Sequence, residues 1–353
     1  MRIAQIMLAR RLGGGERVFL DLCGAVASRG HEVLAIGAAE SDAMDALDRR
    51  TDLQCARVRC NGTWDPLCRW AIGRLLRRFE PDVVQTHMAR ASALGGKAAH
   101  SGGYPTLAMP HTMINLKYYR AIDLFLPTTA DQEDHLRANG VPAAHMERIP
   151  HFRSIEPVAA AKVPRKTDGV VKTLGRFVHK KGFDVLLHAV AMAAQRGASF
   201  KLEIGGDGPE SPSLKALTEQ LGIANRVSFC GWIDDVAAYL ADADVFVLPS
   251  RSEAFGIVLL EAMACGVPIV ASRVSGPLEI LDEQTSLLVP ADDPEALAAA
   301  ITAAFEAPDA SHARAREALA AFKVNYDESV VMERYLAACQ RLAGASGSTA
   351  TRR

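Results

Sequence analysis

No apolar run in the chain is long enough to cross a bilayer. The longest, 254–271, is interrupted by Glu261 and Pro268, whereas a spanning helix needs about 20 consecutive apolar residues. Cysteine is sparse and scattered. The seven cysteines (Cys23, Cys55, Cys60, Cys68, Cys230, Cys265 and Cys339) form no C-x-x-C pair and no Cys/His cluster at metal-ligand spacing. That excludes a zinc module, a redox dithiol and a disulfide scaffold, and the odd count predicts a reducing compartment. Net charge is nearly absent: 40 Lys+Arg stand against 41 Asp+Glu, which gives no overall field to draw the chain onto nucleic acid. No repeat of roughly 20–50 residues is present, so solenoids and propellers are excluded. The opening segment Met1–Arg11 lacks the apolar centre of a secretory signal because Arg10 and Arg11 interrupt it. This predicts a cytoplasmic protein, soluble or peripheral at the inner face of the cytoplasmic membrane.

What is present is enough for two globular domains. The chain has 353 residues, 49% of them hydrophobic, against roughly 100–200 residues per domain. The near-zero charge also conceals a division. Residues 1–165 carry 22 Lys+Arg and 17 Asp+Glu, whereas 166–353 carry 18 and 24, so the halves have about +5 and −6. The halves therefore suit different partners.

Short apolar runs alternate with helix-length segments. In the first half, strands are predicted at 3–8, 32–36, 82–86, 106–109, 123–127 and 147–149, with helices at 16–28, 89–100 and 131–139. The pattern restarts with strands at 170–174, 200–204, 226–229, 245–248, 268–271 and 286–289, and helices at 182–196, 211–221 and 256–265. Such alternation predicts two doubly wound parallel sheets. The boundaries expected are a first domain over 1–155, a linker over 156–169 and a second domain over 170–326. A closing helix over 327–343 is expected to return toward the first domain, followed by a disordered tail over 344–353. Ligands of open α/β sheets bind beyond the carboxyl ends of the strands, so functional residues are sought just after strands.

Three such places stand out. Gly13, Gly14 and Gly15 follow the first strand and precede a helix, an arrangement that either admits phosphate to bare amides or simply permits tight packing. Gly175-Arg176-Phe177-Val178-His179-Lys180-Lys181-Gly182 follows the first strand of the second half. There Arg176 and Lys181, five residues apart, suit a diphosphate. Ser252-Glu253-Ala254-Phe255-Gly256-Ile257 follows the strand 245–248, and Glu261 falls about one and a half turns into the next helix among apolar neighbours. A carboxylate placed there needs hydrogen-bond donors, which ribose hydroxyls provide.

These motifs resemble the retaining glycosyltransferases of family 4, which have the GT-B fold. The likeness covers nearly the whole chain and is densest over 170–290. It rests on Gly175-Arg176 with Lys181-Gly182, the turn Gly205-Gly206-Asp207-Gly208-Pro209, the segment Val227–Gly231, and the E-x7-E pair Glu253 and Glu261 continuing to Pro268. More loosely, Gly13-Gly14-Gly15-Glu16 and Pro81–His87 fit as well. The chain departs from the family at Ile149-Pro150-His151-Phe152-Arg153 and at Thr128-Thr129, where a serine is usual.

The resemblance implies two Rossmann-like domains facing a central cleft, the first binding acceptor and the second binding donor. It implies transfer of a sugar from a UDP- or GDP-linked donor with retained configuration and no required metal or cofactor. The acceptor is a glycan or lipid-linked precursor of lipopolysaccharide, capsule or another cell-surface glycan. Arg176 and Lys181 then bind the diphosphate, Glu253 orients the donor sugar, Glu261 holds the ribose and His111 lies near the reacting centre. Gly14, Gly15, Gly175, Gly206, Cys230, Gly231, Phe255, Gly256 and Ile257 supply backbone contacts to the donor. His87 is expected to lie behind that site or in the core. The alternatives are a nucleotide-sugar epimerase of the same fold, a noncatalytic nucleotide-sugar binding protein, and a dinucleotide oxidoreductase suggested only by the glycines after the first strand.

A helix over 66–79 collects Leu67, Cys68, Ala71, Ile72, Leu75, Leu76 and Phe79 on one face. Arg69, Arg74, Arg77 and Arg78 lie largely on the other, with Trp70 among them. This is either a core helix with a solvated face or a docking surface for anionic lipid.

Overall fold

The computed structural model describes residues 1–11 and 13–350, without the side chains of 346–350. The chain forms two compact units. One comprises residues 1–154 and the closing segment from Glu328, and the other is Ile155–Asp327.

In the first unit six strands form one parallel sheet: β1 (Arg2–Met7), β2 (Glu32–Ala38), β3 (Gln54–Val58), β4 (Val83–His87), β5 (Thr106–Met109) and β6 (Leu124–Phe125), in the order β3-β2-β1-β4-β5-β6. The second unit repeats the plan with β7 (Val170–Leu174), β8 (Lys201–Gly205), β9 (Val227–Gly231), β10 (Val245–Leu248), β11 (Ile269–Ser272) and β12 (Leu287–Val289), in the order β12-β11-β10-β7-β8-β9. Both orders are those of the doubly wound α/β fold, so the protein has a two-domain α/β architecture. The central strands are buried; β10 is apolar throughout, with Val245, Phe246, Val247 and Leu248 at 1% exposure or less, whereas β1, β4 and β7 also bury Gln5, Gln85, His87 and Lys172. Strands covered by helices on both faces require this.

In each sheet the winding reverses beside the first strand. β1 pairs with β2 on one side and β4 on the other, with Met7 opposite His87. β7 likewise lies between β8 and β10. The carboxyl ends of β1/β4 and β7/β10 are therefore the topological switch points, where loops diverge and leave room for a ligand.

Local chemistry accounts for how the helices start and stop. The helix Gly14–Ser28 buries Val18, Phe19, Leu22, Cys23 and Val26 at helical spacing, and Gly30, at φ +77°, ends it in the left-handed conformation. The helix Pro66–Phe79 starts on Asp65, whose carboxylate accepts from the amides of Leu67 and Cys68 at 3.0 Å each, with proline in its first turn.

Some expectations need correcting. β3 is a strand that the sequence reading passes over, and 147–149 is not one. Near there only an isolated bridge joins Phe125 to Met146. The closing helix, Glu328–Ala350, continues through 344–350, where a disordered tail is expected. The end of that tail, 351–353, lies outside the described residues. Leu67 is exposed rather than on the buried face of its helix.

Candidate active site

In the second unit the loops after β7, β8 and β10 are fastened together by close backbone approach. Gly182 stands at φ +65°, where a Cβ would lie 2.1 Å from the Pro249 carbonyl oxygen. A Cβ on Gly206, at φ +119°, would meet the Gly175 oxygen at 1.9 Å. No side chain fits at either position. The amides of Arg251 and Ser252 donate to the Lys180 carbonyl at 2.8 and 3.2 Å, so the cationic loop and the Glu253 loop move as one. The Arg251 guanidinium reinforces this, with paired hydrogen bonds to Asp184 at 2.8 and 2.7 Å and another to Asp292 at 2.8 Å. Burial alone would raise the Asp184 carboxyl, but the Arg251 hydrogen bonds and charge outweigh it and hold it below its ordinary range.

These loops bring Lys181 and Glu253 into a direct ion pair whose side chains are 16% and 11% exposed. An ammonium has three donors, so Lys181 can serve Glu253 and an anion at once. Arg176 is exposed, and among the described residues its guanidinium has no hydrogen-bond or ion-pair partner. Gly256, at φ +92°, begins the helix Ile257–Ala264, whose first amides have no partner within the helix and carry the positive end of its dipole. The Phe255 side chain turns into the core against Tyr326. Glu261, in the same helix, is 4% exposed. Behind the loop, Gly276 donates to the Glu253 carbonyl at 3.1 Å, and a Cβ there would come within 2.6 Å of that oxygen. On the other flank, the Gly206 amide donates to the Gly231 carbonyl at 2.6 Å, and Cys230 beside it is exposed. The residues predicted from this half thus share the carboxyl edge of one sheet.

In the first unit the glycine turn after β1 leads into the helix Gly14–Ser28, with Gly13 as its cap. Glu16, in the first turn, is 7% exposed. Burial pushes its carboxyl up, while hydrogen bonds from the amides of Gly13 and of Glu16 itself pull it down, the net shift being upward. This is the capping-box position, a signal that sequence reasoning left unused. A Cβ on Gly15 would lie 3.3 Å from the His111 ring, so the glycine lets that ring approach the helix start. His87, the last residue of β4, is fully buried, and its neighbour Met88 adopts φ +67°. Three imidazoles form a column: His87 on His111 with centroids 5.5 Å apart and His111 on His151 at 5.3 Å, inclined by 14° and 12°. Burial pushes the His111 imidazole down to about 4, and His87 and His151 also fall well below the ordinary range. All three are neutral at pH 7.

Cavity size is not a guide to the site. A cleft of about 830 Å³ in the first unit is lined by His100, Tyr104, Asp123, His145, Glu147 and Arg341 among others. It opens beside Pro105 and Asp123, at the amino ends of β5 and β6, opposite the switch point.

Comparison with known proteins agrees with this arrangement. Residues 12–157 match the family model described as Glycosyltransferase Family 4, and 168–307 match Glycosyl transferases group 1. The lipopolysaccharide core biosynthesis glycosyltransferase LpsD of Rhizobium meliloti is 31% identical over 335 residues, covering 92% of this chain and 94% of the relative. The chain is a family 4, group 1 glycosyltransferase. LpsE of the same organism, also a lipopolysaccharide core biosynthesis glycosyltransferase, is 33% identical over 300 residues, covering 82% and 84% of the two chains. Among solved structures, Anabaena HepE in complex with UDP and glucose superposes with a TM-score of 0.83 at 19% identity, over 97% of this chain and 100% of that one. The glycosyltransferase therefore has the GT-B fold, and the protein is an enzyme of the transferase class. No helix among its described residues is long and apolar enough to cross a membrane.

Proposed function

We propose that this glycosyltransferase transfers a sugar from a nucleoside diphosphate donor, with retention and without a metal, to a glycan or lipid-linked acceptor in cell-surface glycan synthesis. The observation that carries the reading is the Lys181–Glu253 pair, held beyond the β7/β10 switch point with Arg176 and the amino end of the helix Ile257–Ala264 on the same edge. Two relatives named as lipopolysaccharide core transferases and a neighbour of the same fold crystallised with UDP and glucose support it.

The bond to break joins an anomeric carbon to a diphosphate, and charge develops on the departing oxygens. Arg176 contributes a planar fork, Lys181 a point charge, and the helix start a set of oriented amides, which together stabilise that charge where it forms. Glu253, held in the ion pair with Lys181, accepts hydrogen bonds from donor-sugar hydroxyls. Glu261 accepts from the ribose, and the 229–232 loop offers backbone groups to the base. Within the first unit, His111 meets a sugar hydroxyl beyond the carboxyl ends of β4 and β5, beside the amides of Gly14 and Gly15. Glu16 is engaged by the amides of its own helix start, so it is not a free nucleophile. This supports transfer on the leaving-group face over a covalent double displacement.

A thermal-shift panel of UDP, GDP, ADP and their sugars tests the donor assignment. The correct donor at about 100 times its Kd raises stability by about 2.7 kcal/mol, and a panel in which no nucleotide moves the melting temperature overturns the reading. Release of nucleoside diphosphate that depends on acceptor separates a transferase from an epimerase or a noncatalytic binder. Lys181→Ala is expected to lower kcat on the order of 100-fold, with a smaller change in nucleotide affinity.

For the acceptor side we propose that the helix Pro66–Phe79 docks on an anionic lipid surface. Trp64, Leu67 and Trp70 are 76%, 77% and 60% exposed, an unusual cost for large apolar groups, and Arg69, Arg74, Arg77 and Arg78 are exposed around them. Aromatic and aliphatic groups that enter the headgroup region, ringed by arginines that meet lipid phosphates, suit a peripheral position at the membrane.

A further inference from the structure

Behind His111 lies a chain of buried polar groups that no donor-binding motif requires. The Tyr335 hydroxyl donates to Gln85 Oε1 at 2.5 Å, and Gln5 Nε2 donates to the same oxygen at 3.2 Å and to the Tyr335 oxygen at 2.9 Å. Gln5 Oε1 lies 2.8 Å from His87 Nε2, and His87 Nδ1 lies 3.2 Å from His111 Nε2. Gln5, Gln85 and His87 are 0% exposed and Tyr335 1%. A row of such groups in the core is expensive unless each hydrogen bond is directed.

We propose that Gln5, Gln85, His87 and Tyr335 are positioning residues that lock His111 in one tautomer, its Nε2 hydrogen directed at His87 and its Nδ1 lone pair left bare for a sugar hydroxyl. The direction follows group by group from the orientation of the two amides, Gln85 Oε1 facing Tyr335 and Gln5, and Gln5 Oε1 facing His87. Gln85 Oε1 accepts from two sides, so the amide hydrogens of Gln5 point toward it and Gln5 presents its oxygen to His87. An oxygen there can only accept, so His87 carries its proton on Nε2. Neutral in this setting, His87 has only a lone pair at Nδ1, and His111 must supply the hydrogen between them. His111 is neutral too, so its Nδ1 is an acceptor. That atom is buried and, among the described residues, has no hydrogen-bond partner. The other tautomer would set two lone pairs face to face at 3.2 Å, a bias of roughly tenfold or more against it. A bare acceptor can receive a hydroxyl's hydrogen bond and take its proton, whereas an N–H at that position can only donate to the hydroxyl oxygen.

The proposal rests on the reading that His111 meets the sugar, and the experiment separates the two. Long-range proton–nitrogen correlation spectra of ¹⁵N-histidine-labelled full-length protein, without ligand, report which ring nitrogen of His111 is protonated. The His111→Leu spectrum assigns the signal. Wild type is expected to show protonated Nε2 and bare Nδ1. His87→Leu is expected to mix the tautomers, while His87→Gln restores the single form, because a glutamine there accepts from His111 and donates to Gln5. Tyr335→Phe, which keeps the buried ring and loses only the hydroxyl, is expected to broaden the preference and provides a readout should His87→Leu not fold. Protonated Nδ1 in wild type, or an unchanged tautomer in folded His87→Leu and Tyr335→Phe, overturns the relay. Nucleoside diphosphate release by His111→Leu at the wild-type rate instead removes the substrate role and leaves the tautomer result standing.

Discussion

Glycines in the second unit differ sharply in what a methyl group would meet. At Gly206 and Gly182 an added Cβ lies 1.9 and 2.1 Å from carbonyl oxygens of neighbouring loops, and both residues have positive φ. Backbone cannot move aside as a side chain can. Gly206→Ala and Gly182→Ala are each expected to cost on the order of 3 kcal/mol or more, read as a fall in the urea midpoint. Gly256 also has positive φ, at +92°, but an added Cβ meets only the Leu259 and Glu253 side chains, at 3.1 Å and beyond. Gly256→Ala should therefore cost about 1–2 kcal/mol, the strain of the conformation alone. Equal losses at all three would show that loop contact does not set the cost. These positions matter for chemistry because Gly182 and Gly206 hold the loops that present Lys181, Arg176 and Glu253 on one edge.

Elements were more legible in the sequence than the contacts between them. Long apolar runs such as 245–248 could only be buried strands, and glycines at 182 and 256 marked where helices begin. β3 escaped because only Val58 of its five residues is buried and Arg57 lies within it, bonded to Asp45 and Asp48 on the surface. An edge strand needs little apolar surface. The candidate residues of the second unit could be picked out because they follow strands within short motifs, and the structure places them at the carboxyl edge of one sheet. The histidine relay could not, because Gln5 and Tyr335 are 330 positions apart, and no local pattern records such a pairing. For the helix Pro66–Phe79 the sequence displayed the arginines but placed Leu67 on the wrong face. Its exposure beside Trp64 and Trp70 strengthens the lipid proposal. Replacing Arg74, Arg77 and Arg78 by glutamate is expected to abolish co-sedimentation with anionic liposomes and leave the melting temperature nearly unchanged, since roughly 1 kcal/mol per cation is lost at the surface and little in the fold. Equal recovery with neutral vesicles would end that reading. Asp65→Ala, by contrast, should cost about 1 kcal/mol of stability through the lost cap, without touching lipid selectivity.

At the scale of the whole molecule, the two units lose stability to acid over different pH ranges. His87, His111 and His151 are neutral when the first unit is folded, His111 down to about 4 because burial penalises its charged form. In the unfolded chain imidazoles titrate near 6.5. Below that value the unfolded state binds protons that the folded state refuses, so stability falls with pH, starting near 6.5 and continuing to about 4 for His111. At pH 5.5 the loss is about 1.4 kcal/mol for each histidine and about 4 kcal/mol for three. Glu16, raised by burial, opposes the trend as pH drops, but it is one group against three. In the second unit Asp184, Asp207 and Asp242 are held below their ordinary range by hydrogen-bonding partners. Their contribution is complete above the ordinary carboxylate range and is lost only as pH falls through their folded values, well below 5.5. Calorimetry at pH 7.5 and 5.5 should therefore show the transition of the first unit moving down while that of the second stays. His151→Phe, which keeps a ring against His111 and removes one proton site, should recover about a third of the shift. A shift shared equally by both units, or none at all, would mean that the histidine column is not the source of acid sensitivity.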